Sequence, residues 1–166
     1  MTSPVARAQV LVVGAGPTGL VLALWLVRAG ARVRIVDRAA GPGTTSRAMV
    51  IHARTLELYR QLGIDGVVIG GGLELKTGNL WLRGRRAAQL PIGDMGAGLS
   101  AFPYILVLPQ DAHERQLVEE LARAGVFVEC DTTLLGFEET TSGIRARLRT
   151  ADGEESIGEA DYVGRR

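Results

Sequence analysis

Residues 9–37 read QVLVVGAGPTGLVLALWLVRAGARVRIVD, and the fold is decided inside this stretch. Residues 9–13 form a continuous apolar run stopped by glycine, the pattern of a strand buried on both faces. Residues 18–29 contain no breaker and are apolar nearly all round, which predicts a buried helix. Residues 32–37 alternate and predict a second strand. Strand, helix and strand with short links make a βαβ unit, whose right-handed crossover sets the two strands side by side and parallel. The first turn is Gly14-Ala15-Gly16-Pro17-Thr18-Gly19. Gly14 permits the tight turn, Gly16 has no Cβ to keep a pyrophosphate from the backbone, and Gly19 lets helix and strand pack closely. The N–H groups and positive end of the helix face the phosphates. Asp37 closes the second strand 23 residues beyond Gly14, where its carboxylate can accept two hydrogen bonds from a ribose diol. Together these residues predict a site for an adenine dinucleotide. They do not separate NAD from FAD, and an acidic Asp37 disfavours the 2′-phosphate of NADP at this site.

Outward from that unit, residues 39–45 are a Gly/Pro/Thr loop. Residues 52–62 predict an amphipathic helix with Ile51, Leu56, Tyr59 and Leu62 on one stripe and Gly63 as its stop. Residues 73–83 alternate like a hairpin around Gly78-Asn79, and the glycine-rich residues 91–100 predict a mobile or ligand-covering segment. A strand over 104–108 is stopped by Pro109. A helix over 110–124 follows, with Leu117, Val118 and Leu121 inward. Residues 126–130 predict a short strand. Residues 133–139 and 144–150 are two strands joined by Thr141-Ser142-Gly143, the second strictly alternating, with Arg145, Arg147 and Arg149 on its wet face. Asp152-Gly153 signals a turn into a last strand over 156–163. The expected class is α/β: a Rossmann-like parallel sheet from residues 9–13, 32–37 and 126–130, with an antiparallel β-meander beside it.

The 166 residues suit one domain, and 46% hydrophobic with 22% charged residues excludes disorder as the main state. A net charge of +1 and 5% aromatic residues argue against nucleic acid as a partner. One cysteine and two histidines supply neither a disulfide framework nor a metal site. The apolar run at residues 20–27 is too short to span a bilayer, and no signal segment precedes it. The expectation is a cytoplasmic protein with no membrane contact. No Ser/His/Asp or paired-carboxylate constellation is visible, so no catalytic residue is named. His113 reads as a first-turn surface residue, Cys130 as a small core residue, Trp25 as helix packing, and Arg54 as a partner of Glu57.

Three blocks carry a family resemblance: VLVVGAGPTGLVLALWLVRAGARVRIVDR, TTSRAMVIHARTLELYRQLGI and LPQDAHERQLVEELARAGV. Together they resemble the N-terminal FAD-binding half of the class A flavoprotein aromatic hydroxylases, the para-hydroxybenzoate hydroxylase-like monooxygenases of phenols and polyketides. The resemblance runs over residues 9–163 and implies a glutathione-reductase-type FAD-binding domain. It implies that Gly14, Ala15, Gly16, Pro17, Thr18 and Gly19 line the FAD pyrophosphate. It places Asp37 at the adenosine ribose with Arg38 beside it, Arg47 at the phosphates and flavin side, Gln110 at the ribityl chain and Leu134 at adenine. From the residues alone, the alternative readings are Arg47 as a solvated loop arginine and Gln110 as the plain start of a helix. The implied activity uses NAD(P)H and O₂ to hydroxylate a small aromatic, phenolic or polyketide substrate. In the family a strand like 160–163 runs into a Cys-Asp-Gly segment, whereas here Gly164-Arg165-Arg166 follows. The expectation is a truncated domain lacking the second flavin-binding segment and the substrate domain, prone to self-association through apolar area near Tyr162 and Val163.

Two other readings stand beside this one. An NAD-dependent Rossmann oxidoreductase would need a downstream Tyr/Lys or His pair, and Lys76 has no tyrosine at helical spacing. A non-catalytic dinucleotide-binding fragment would bind at most ADP-like ligands.

Overall fold

The computed structural model describes residues 7–43 and 48–165. In chain order its elements begin with β1 (Ala8–Val13), α1 (Pro17–Arg28), β2 (Val33–Val36), β3 (Ala48–Ile51), α2 (Ala53–Leu62) and α3 (Asp65–Gly70). Next come β4 (Leu73–Leu75), β5 (Thr77–Leu82), β6 (Arg85–Pro91), β7 (Ile105–Pro109) and α4 (Gln110–Arg123). The chain ends with β8 (Val128–Glu129), β9 (Thr133–Thr140), β10 (Gly143–Arg149) and β11 (Glu155–Arg165). Two compact units result: Met1–Thr44 with Glu114–Arg166, and Thr45–His113 between them in sequence.

The first unit is built on a six-stranded sheet in the order β8-β2-β1-β11-β10-β9. β1 runs parallel to both neighbours, β2 and β11, and β2 is parallel to β8. The strands β11, β10 and β9 form the antiparallel meander. Leu11 and Val12 are each 1% exposed. They point to opposite faces of β1, so both faces are covered, which is why this strand reads as an unbroken apolar run. β10 alternates instead, burying Ala146 and Leu148 while Arg145, Arg147 and Arg149 stay outside. One core joins the two halves of the sheet: Ala8, Leu11, Val36, Ala146, Leu148 and Ala160 pack together. Each large aliphatic side chain fully buried there contributes about 1.5–3 kcal/mol. α1 buries Leu20, Ala23 and Leu24 and packs along β1 and β2. The expected α/β class, parallel strands with a meander alongside, is the observed one. The last strand is longer than expected, and it is the strand that links the meander to β1.

The second unit holds a three-stranded antiparallel sheet, β3-β7-β4, and the separate ribbon β5-β6. Leu56 and Tyr59 of α2 are buried, as are Ile51, Leu106 and Leu108 from the sheet. Two sequence expectations change here. The hairpin does not turn at Gly78-Asn79: both residues lie inside β5, opposite Leu90 and Gln89. The reversal comes at Arg83-Gly84, with φ of 48° and 74°, the two positive values that a tight hairpin turn requires. Within residues 91–100 Gly96 N–H donates to Pro103 O at 3.0 Å, and a Cβ on Gly96 would sit 3.1 Å from Pro103 Cα, while Met95 and Leu99 are exposed. Gly93 and Gly96 therefore serve close approach of backbone to backbone, while Gly98 takes φ +77°. β3 and α3 were not anticipated, the first because its short apolar run read as the lead-in to α2. Arg54 does pair with Glu57, at 3.0 Å. Among the described residues no helix is long and apolar enough to cross a membrane.

Candidate functional site

The glycine loop joins β1 to α1, and its three glycines are there for three different reasons. Gly14 takes φ +109°, which an L side chain rarely adopts, while its N–H is held by Val36 O at 2.9 Å. A Cβ on Gly19 would overlap the carbonyl oxygen of Gly14 and sit 3.5 Å from Val12 Cγ1, so the crossing of helix over strand depends on its absence. Gly16 is extended, with φ −70° and ψ 174°, and a Cβ there would meet nothing within 4 Å. Neither backbone conformation nor packing among the described residues asks for glycine at that position. Gly16 is also the N-cap of α1, with no side-chain cap hydrogen bond and no acidic residue in the first turn. Pro17 fits the first helical position because its missing N–H would have no partner within the helix. Thr18 lies in the same first turn. With no carboxylate in that turn, the positive end of the helix is the arrangement that receives an anion.

Asp37 stands at the end of β2 and organises the surrounding backbone. Its Oδ2 accepts the N–H of Ala15 in the glycine loop, and its Oδ1 accepts the N–H of Ala39 at 2.8 Å. Its own N–H donates to Glu129 O at 2.9 Å, and its carbonyl accepts the N–H of Thr132 at 2.8 Å. A fork from Arg34 to Glu129, at 2.7 and 2.8 Å, ties the two-residue strand β8 to β2 and so keeps that corner in place. Each carboxylate oxygen has a second lone pair, so these bonds leave Asp37 able to accept from a ligand as well.

Two cavities share Asp37. One, of about 340 Å³, has Ala15, Gly16, Gly43, Glu114 and Cys130 in its wall. The other, of about 310 Å³, is lined by Gly14, Arg38, Thr132, Thr133 and Leu134. Arg38 and Leu134 are therefore brought to the glycine loop. Gln110 opens α4 and falls in the second unit. Arg47 lies outside the described residues.

Two residues differ from their sequence reading, and one was missed. His113 is 1% exposed, not on the surface, and its Nε2 lies 3.0 Å from the hydroxyl of Tyr59, itself 3% exposed. Cys130 is a cavity-wall residue. Burial first, and then the carboxylates of Asp37 and Asp131, push its thiol up, so at neutral pH it is not a thiolate nucleophile. Glu114 went unnoticed. It is 7% exposed and its Oε2 accepts the N–H of Gly43 at 3.1 Å. The signal was available: Leu117, Val118 and Leu121 define the inward stripe of α4, and one turn back that stripe falls on Glu114.

A model of the FAD binding domain matches residues 7–164. The chain belongs to the FAD binding domain family. FAD is accordingly its cofactor, and the geometry of Gly16 fits a group carrying a pyrophosphate. Among similar proteins is the 6-methylpretetramide 4-monooxygenase of Streptomyces rimosus, 38% identical over 149 residues, which span 90% of this chain and 27% of that protein. The pentachlorophenol 4-monooxygenase of Sphingobium chlorophenolicum is 34% identical over 149 residues, 89% of this chain and 27% of the relative. The chain thus spans about a quarter of the length of these curated relatives. Among solved structures, the flavin-dependent monooxygenase PieE in complex with FAD and substrate superposes with a TM-score of 0.85 at 28% identity, over 97% of this chain and 30% of that one. The p-nitrophenol 4-monooxygenase PnpA of Pseudomonas putida DLL-E4 gives a TM-score of 0.86 at 22% identity, over 96% of this chain and 40% of that one, a likeness of fold.

Proposed function

We propose that the chain is the FAD-binding portion of a flavin-dependent monooxygenase that hydroxylates a small aromatic, phenolic or polyketide substrate with NAD(P)H and O₂. The single observation that carries the binding mode is the open space at Gly16: the fold leaves room there that no side chain uses. In this reading the loop from Gly14 through Ala15, Gly16, Pro17 and Thr18 to Gly19 receives the pyrophosphate. Asp37 holds the adenosine ribose, with Arg38 beside it and Leu134 toward adenine. Arg47 and Gln110 reach the phosphates and the ribityl chain. When bound, FAD supplies the redox chemistry, while the chain binds it, orients it and sets which phosphate oxygens meet which N–H groups.

The short span on the relatives supports two further parts of the proposal. Residues 1–166 are the N-terminal portion of the FAD-binding domain, and the remaining flavin contacts and the substrate domain belong to chain outside them. Tyr162, 71% exposed on β11, supports a contact there with such a complementary portion or with a second copy. The proposed location is the cytoplasm, where NAD(P)H is supplied. The test is a titration of the purified chain with FAD, ADP and NAD, followed by flavin absorbance and fluorescence. FAD binding tighter than NAD binding is expected, and the reverse order would return the chain to the NAD-dependent reading.

A further inference from the structure

Beyond Asp37 and Arg38 the chain runs Ala39-Ala40-Gly41-Pro42-Gly43, a stretch with no polar side chain of its own. Two carboxylates hold its amides from outside, and the N–H of Asp131 donates to Ala39 O at 3.0 Å. At its start Asp37 Oδ1 accepts the N–H of Ala39 at 2.8 Å. At its end Glu114 Oε2 accepts the N–H of Gly43 at 3.1 Å. Glu114 does this from the inward stripe of α4, where the following turns present Leu117 and Leu121, both 0% exposed. A carboxylate placed there gives up much of its hydration, which is costly unless it is hydrogen-bonded. Glu114 and Gly43 stand in the wall of the same cavity as Ala15 and Gly16. Gly43 is also four residues ahead of Arg47 in the chain.

We propose that Glu114 is a positioning residue for FAD: by fixing Gly43 it sets one wall of the cofactor cavity. It acts on the cofactor through the loop. This rests on the reading of that cavity as the FAD site. Asp37 and Glu114 then divide the work, since Asp37 meets the ligand and anchors the loop's first amide, while Glu114 anchors its last.

The experiment has two readouts, the FAD dissociation constant and the exchange rate of the Gly43 amide proton measured without FAD. Failure of the wild-type chain to bind FAD overturns the reading of the site. The exchange rate still decides whether Glu114 holds the loop. With binding present, Glu114→Ala should bind FAD about tenfold to a hundredfold more weakly, the range for a lost hydrogen bond to a charged group. Gly43 exchange should accelerate in parallel. Glu114→Gln, whose amide oxygen accepts the same N–H, should restore most of both. Should Glu114→Ala not fold, Glu114→Asp keeps the charge and withdraws it by one methylene, with the same expected losses. Unchanged FAD affinity or unchanged Gly43 exchange in a folded Ala or Asp variant overturns the proposal, and so does a loss in the Gln variant equal to that in Ala.

Discussion

Three glycines in one loop should fail in three different ways when replaced. Gly16→Val keeps an allowed backbone and meets no neighbour, so its circular dichroism should match the wild type and its stability fall by no more than about 1 kcal/mol for the poorer N-cap, while FAD binding is lost. Gly19→Ala brings a methyl group onto Gly14 O. It should lower stability by about 1–3 kcal/mol or more in a denaturant titration, the cost of overpacking, whatever ligand is present. Asp37→Ala removes a carboxylate that bonds the amides of Ala15 and Ala39 and would meet the ribose, and calorimetry should show FAD binding weaker by about 1.5–3 kcal/mol. These contrasts were legible before the fold was known, because each glycine of the motif has its own physical duty. Glu114 was not legible in the same way. A glutamate near the start of a helix usually serves the helix dipole in water, and only the phase of the apolar stripe shows that this one faces inward.

The pairing of α2 with the first turn of α4 makes the tyrosine of that pair a pH sensor at the scale of elements. Burial pushes the Tyr59 hydroxyl from its ordinary 10 up to about 12. In the unfolded chain it ionises near its ordinary value, so the native state binds more protons between those two values. The contribution of Tyr59 to stability is therefore fully present below pH 10 and is lost as pH rises toward 12. Denaturant titrations at stepped alkaline pH should show that decline, and Tyr59→Phe should flatten it. The same variant leaves His113 Nε2 without its hydroxyl partner and should cost about 1–3 kcal/mol at neutral pH. Element types were largely readable from period and punctuation, as β1 and β10 show. Their joints were less so. Gly78-Asn79 carries the residue types of a tight turn, yet it is paired within β5, while the true turn at Arg83-Gly84 contains an arginine at positive φ that composition disfavours. A turn signal is local, whereas a ribbon's register is set along its whole length.

At the scale of the molecule, FAD binding and turnover should come apart. The 166-residue polypeptide, supplied with FAD and NADPH, is expected to bind the flavin yet yield no hydroxylated phenol by mass spectrometry. Hydroxylation needs a substrate held at the flavin with water excluded, and the chain spans only about a quarter of its monooxygenase relatives. Coupled NADPH consumption with product would place the whole activity within these residues. The division into two units was not visible in the sequence. Nothing in composition marks residues 45–113 as one body, because the boundary near His113 falls inside a continuous helix, α4. What the sequence does show is the apolar character of β1, and with it the need for neighbours on both sides.

Those neighbours arrive at very different times. β2 follows β1 almost at once, but the other flank of β1 is filled by β11, with Ala8 lying opposite Ala160. A ribosome releasing this chain holds β1 half-paired until residues 155–165 have emerged, with the whole of the second unit made in between. Folding of the sheet is then slow, dominated by late, long-range closures of β8 onto β2 and β11 onto β1, and the nascent β1 edge is the place where a chaperone has most to protect.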